Sequence, residues 1–258
     1  MVALSPRGWL RAAETSWPAL AASLLAFSLV RAAQPSSWRR PVSDAFWSAL
    51  GFATLGSAVA IVVAAGVIGV GVVAQALVWL EDLGEADAVR STLLRVLIRE
   101  VAPVTIGLVL LGRSGLIQLT EMARLRDDGT LRVLQAEGMD PGLLLAMPLI
   151  LAFGIAAFCN AVAFTLLTMA VGYGGAALLG LSVLGPGELA VSVSRDLGAT
   201  GVLILPLKSF VIGLVIGAIV SATALQPARQ DRRLVLPRGF FRCLTALFVV
   251  SATLSLML

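Results

Sequence analysis

Long apolar runs separated by a few short polar segments make up nearly all of this 258-residue chain. A helical membrane span needs about 20 consecutive apolar residues. The pattern predicts a first span within 45–79 and a second over about 93–119, with Pro103 as a kink. A run of 142–183 follows the polar insert 113–141, and further spans are expected at about 200–224 and 240–258. The run 142–183 is long enough for two crossings broken at Gly172, Gly174 and Gly175. A single crossing keeps every Arg-rich loop on one side and the acidic segment EDLGEAD on the other, as the positive-inside rule favours. That choice makes five spans with the amino terminus inside and the carboxyl terminus outside.

Ahead of the spans, the apolar part Trp17 to Val30 is short for a crossing. With Arg7, Arg11, Trp9 and Trp17 it suits a helix lying in the cytoplasmic interface. A signal peptide is the rival, opposed by Arg31 at the position where small cleavage-site residues belong. Arg39 and Arg40 then lead into a hinge, with Ser43 and Asp44 as cap candidates for the first span. The organisation is residues 1–40 as interfacial helix and hinge, then 41–258 as one membrane domain. The fold class is all-α integral membrane: five spans, an interfacial helix and a cytoplasmic coupling helix.

Composition narrows the chemistry. Hydrophobic residues make up 59% and charged residues 13%, so each charge within the apolar runs needs a reason. Histidine is absent, which removes His-based triads and the usual zinc sites. Cys159 and Cys243 lie far apart in apolar surroundings and read as small hydrophobes. No GxxxxGK[ST] pattern occurs, so the chain has no P-loop for ATP. The net charge of +4 reflects arginines facing lipid headgroups rather than nucleic acid. Gly69 to Ala74 imitates a dinucleotide fingerprint, but inside a span and not at a strand-to-helix turn.

Three features remain as candidates. Arg95, Arg99 and Glu100 head the second span, and Lys208 lies within the fourth. A charge at mid-bilayer costs about 2.5–3.5 kcal/mol on insertion scales, so Glu100 and Lys208 are expected to pair, whereas Arg95 and Arg99 could snorkel at the interface. Gly213 and Gly217, followed by Ala218 and Ala222, form a small-residue face for close helix crossing. The insert is the third. Gly112-Arg113-Ser114-Gly115 marks the end of the span, and 121–126 is helix-compatible. Asp127-Asp128-Gly129 signals a turn, and a second short helix from Thr130 to Glu137 stops at Gly138 before Pro141. Its charges, Glu121, Arg124, Arg126, Asp127, Asp128, Glu137 and Asp140, suit a coupling segment (120–141) gripped by a soluble motor. An ordinary solvated loop is the alternative.

Taken in order, Arg99-Glu100-Val101-Ala102-Pro103-Val104, Gly112-Arg113-Ser114-Gly115, Glu121, Glu137-Gly138-Met139-Asp140-Pro141 and Leu207-Lys208-Ser209-Phe210-Val211 resemble the MlaE (YrbE) family of ABC-transporter permeases. The similarity runs from about residue 45 onward. It implies a permease of the bacterial inner membrane that moves phospholipid or another hydrophobic molecule between inner and outer membranes and performs no hydrolysis. ATP and magnesium would be held by a cytoplasmic ABC ATPase. The other implied partners are a periplasmic MCE-domain lipid-binding protein, membrane lipids and a second permease copy, as homodimer or heterodimer. It also implies that Arg99, Glu100 and Lys208 lie near the lipid path and that the insert contacts the ATPase. Two departures stand out: Gly129-Thr130 replaces a Glu-Gln pair in the coupling segment, and the last span lacks the usual Asp. The rivals are a small-solute ABC importer, for which Ala136-Glu137-Gly138 and Met147-Pro148 are a faint match, an ion-coupled transporter and a non-transporting scaffold.

Overall fold

The computed structural model describes residues 16–83, 100–178, 186–226 and 235–257. Among these there are helices and turns and no strand. Helix α1 (Trp17–Ala32) starts after the extended Ser16, with proline in its first turn, where a missing N–H costs nothing. Its buried residues Leu20, Ala21, Leu24, Phe27 and Ser28 follow helical spacing along one stripe. That stripe packs on the two central helices of the bundle. The expected short N-terminal helix is therefore present, seated on its neighbours along one face. Arg7, Trp9 and Arg11 lie outside the described residues.

A 3₁₀ turn (Pro35–Ser37) makes the hinge. Trp38 Nε1 donates to the Ala32 carbonyl at 3.0 Å, and its ring meets Phe46 edge-on at 5.4 Å. Helix α2 (Arg40–Leu83) begins earlier than the cap reading of Ser43 and Asp44 placed it. Arg39 is the true start: its carbonyl accepts from the N–H of Val42 and of Ser43. Pro41 explains the shift, because its fixed φ favours the first helical turn. At 44 residues this helix is about 66 Å long, twice the hydrocarbon thickness of about 30 Å.

Helix α3 runs over Ala102–Asp127. Gly112 to Gly115 do not end it, contrary to the sequence expectation. A wider, π-type stretch at Leu110–Gly115 absorbs the glycines, and the helix continues to Asp127. The stretch is held from outside: Ser114 Oγ lies 3.2 Å from Ser57 Oγ of α2, both side chains being buried. Gly129, at φ 79, turns the chain into α4 (Thr130–Ala136). Helix α4 ends as its sequence predicts. Gly138 adopts φ 78, its N–H donates to Gln135 O, and Met139 N–H donates to Leu134 O, which is the Schellman pattern.

Helix α5 (Met147–Leu178) follows a second π-type turn. It passes through Gly172, Gly174 and Gly175 unbroken, so the described part of the run, 142–178, traverses the bundle once. Helices α6 (Pro186–Leu225) and α7 (Val235–Met257) complete the described chain. Among the described residues, five helices are long and apolar enough to cross a membrane.

Glycine contacts set the helix directions. A Cβ on Gly69 of α2 would meet Thr168 and Val171 of α5, one on Gly213 would meet Phe153 and Ala157, and one on Gly217 would meet Ile150. Gly107 of α3 lies against Leu247 and Ile212, and Gly239 of α7 against Leu119 and Thr223. Helices α2, α5 and α7 therefore run one way and α3 and α6 the other. The core lies on the α5–α6 seam, while α2 and α7 bury much less of their surface.

Candidate functional site

Among the described residues, two polar clusters occupy opposite ends of α3, one against the middle of α6 at Lys208 and one at the carboxyl end of α6. At the first, Lys208 is 1% exposed. Its ammonium donates to Glu100 Oε2 at 3.1 Å and to Ser255 Oγ at 2.7 Å. Ser255 Oγ lies 2.7 Å from Glu100 Oε2 and 2.7 Å from the Ser251 carbonyl, and its single proton serves one of these two acceptors. Helices α6 and α7 each bring one residue of this cluster, and Glu100 comes from the turn just before α3. The pairing of Glu100 with Lys208 is the one expected from the cost of a buried charge. The Glu100 side chain is 41% exposed, so one edge of the cluster is open. Arg95 and Arg99 lie outside the described residues.

Ser255 is the residue that sequence reasoning passed over. The segment SATLSLML carries no carboxylate, but Ser251 and Ser255 stand one turn apart and face α6 together. That spacing was the available signal.

The second cluster holds the charged segment. Glu121 and Glu137 are exposed, and Arg124 pairs with Asp128 at 3.5 Å, both well exposed. Among these charges sit the exposed apolar side chains of Val133 and Met139. Others of the predicted coupling residues make contacts within the protein. Arg126, its side chain 16% exposed, donates through Nη1 to the carbonyls of Ala224 at 3.1 Å and Gln226 at 2.7 Å. Its Nε and Nη2 donate to Asp127 Oδ1 at 3.2 and 3.0 Å. The last carbonyls of a helix lack intrahelical donors and carry partial negative charge, so Arg126 caps α6. Asp140 accepts from Gly142 N–H at 2.9 Å and starts α5. Arg242 of α7 joins the same end, donating to Gln226 Oε1 at 2.9 Å and lying 5.5 Å from the Trp17 ring centroid.

Replacing Arg126 with Gln is expected to free the end of α6. The loss should be about 1.5–3 kcal/mol, the range for hydrogen bonds to a charged group. A lower melting temperature and faster amide exchange near residue 226 would show it, and unchanged exchange there would refute the cap.

Five apolar helices, a buried lysine that is paired, and a polar segment projecting from one end define a polytopic membrane protein. The family model for the permease MlaE matches residues 46–257, and the chain belongs to that family. It is a membrane permease subunit of the ABC-transporter type, a kind of subunit that works with an ABC ATPase. No curated protein matches the chain.

Proposed function

We propose that this permease moves phospholipid, or a hydrophobic molecule of similar build, across the periplasm between the inner and outer membranes of a bacterial cell. One observation carries the reading: the Lys208–Glu100–Ser255 cluster and the charged segment sit at opposite ends of α3, and α6 runs unbroken from Lys208 to the end capped by Arg126. A push on residues 120–141 thus reaches the cluster through continuous helix. Apolar walls suit acyl chains, and the half-open cluster suits a headgroup. The arginine-rich end, with Arg124, Arg126, Arg132 and Arg242, faces the cytoplasm. The opposite end faces the periplasm, where an MCE-domain protein would receive or deliver lipid. A second permease copy completes the pathway, and ATP with magnesium stays on the motor. Glu121, Arg124, Asp128 and Glu137, with Val133 and Met139 as apolar anchors, form the docking face.

Reversing Glu121, Arg124 and Asp128 together is expected to reduce co-purification of the ATPase about tenfold, the effect of about 1.4 kcal/mol. Melting of the permease should hardly change, because all three side chains are exposed. Full retention of the motor by this variant would place the docking face elsewhere. Transport that continues without any ATPase would favour an ion-coupled carrier instead.

A further inference from the structure

Arg113 stands apart from every cluster described above. It is exposed and makes no hydrogen bond or ion pair with any described residue. It lies halfway along α3, with about 20 Å of helix between it and Glu100 and about as much again to Arg126. A stem of three methylenes cannot carry the guanidinium to either polar end. An unpaired charge within an apolar span requires an anion or water as company.

The local backbone is built around this side chain. The π-type stretch Leu110–Gly115 contains it, and such bulges gather at functional sites. A Cβ on the adjacent Gly112 would meet nothing within 4 Å, and opposite it on α2 Gly56 would place a Cβ only 3.8 Å from Arg113 Nε. The Ser57–Ser114 contact at 3.2 Å locks the stretch to α2 just beside it. Exposed apolar residues lie within about two turns of it on α3, at Leu108 and Ile117, and of Gly56 on α2, at Leu55 and Val59. A charged fork amid greasy, open surface matches a phosphate that carries acyl chains.

We propose that Arg113 is a phosphate-binding station midway along the open α2–α3 face, taking the phosphodiester of a phospholipid between the two ends of the bundle. This rests on the lipid-transport reading above and adds a site to it. The station would hold the headgroup through bidentate contacts while the chains lie along Leu55, Val59 and Ile117.

The test uses the full chain in nanodiscs with three probes: phosphatidylglycerol, diacylglycerol of the same acyl chains, and inorganic phosphate. Arg113→Gln is expected to retain phosphatidylglycerol about tenfold less well than the parent, the loss of one charge-assisted contact. Diacylglycerol should bind both alike, and Arg113→Lys should fall between. Equal retention of phosphatidylglycerol by Arg113→Gln would overturn the proposal, as would equal loss of both lipids, which signals a purely structural role. Dissociation of an oligomer by Arg113→Gln would overturn it too, by assigning the guanidinium to a carboxylate of a second copy. Displacement of phosphatidylglycerol by millimolar inorganic phosphate would reassign the site to the free anion. A parent protein that binds neither lipid removes the transport reading. Arg113 would then stand or fall on direct binding of inorganic phosphate, abolished in Arg113→Gln if the station is real.

Discussion

Lys208→Ala should abolish most of the lipid transport proposed here while leaving an inserted protein. The ammonium is sealed from water and holds both Glu100 and Ser255. Removing it strands a carboxylate at the edge of the apolar bundle. Breaking a buried pair from one side costs about 3–5 kcal/mol. Because Glu100 keeps 41% of its side-chain exposure, about 2 kcal/mol is the better expectation here, since exposed charge is screened. Transport should fall further than stability does, because three elements lose their common anchor at once. A lipid-transfer assay between donor and acceptor vesicles reads this directly, with melting temperature as the control. Exchanging the two charges, Glu100→Lys with Lys208→Glu, should recover part of the activity. Parental transport in Lys208→Ala would remove the cluster from the pathway.

The second large effect belongs to Gly213. A Cβ there would run into the carbonyl oxygen of Phe153 and come within 2.7 Å of the Ala157 Cβ. The obstacle includes backbone, which cannot rotate away. Overpacking a tight interior typically costs about 1–3 kcal/mol, so Gly213→Ala should lower the melting temperature by several degrees. Gly213→Leu should yield no folded protein. The contrast is Gly66 of α2, where a Cβ would meet nothing within 4 Å. There alanine should be neutral or stabilising by up to about 1 kcal/mol, its helix-propensity advantage. Equal behaviour of Gly213→Ala and Gly66→Ala would mean that α5 and α6 do not cross as described.

The contrast between these two glycines also shows what the sequence could convey. Gly213 and Gly217 were readable as a close-crossing face because four-residue spacing puts both on one side of a helix. Nothing in the chain distinguishes Gly66 from them except what lies across the gap, which is tertiary information. The five apolar helices were legible because bilayer thickness imposes their length. The Glu100–Lys208 pair was legible because isolated charges in such helices are costly. Helix ends were less so. Gly138 marked one correctly, since left-handed backbone at a terminus calls for glycine. Gly112 and Gly115 marked none, because packing against α2 carries the helix through them. Arg126 looked like its charged neighbours and differs only in having the end of α6 within reach. Ser255 was hidden by being a hydroxyl where a carboxylate was sought.

Lys208 is also the sole lysine of the sequence, and it is 1% exposed. Side-chain acylation by amine-reactive esters is therefore confined to one atom, shut away while its three-way contact holds. Any step of the working cycle that pulls α3, α6 and α7 apart would unmask it. Mass gain at this position, followed with and without a running motor, would time that opening without an introduced probe.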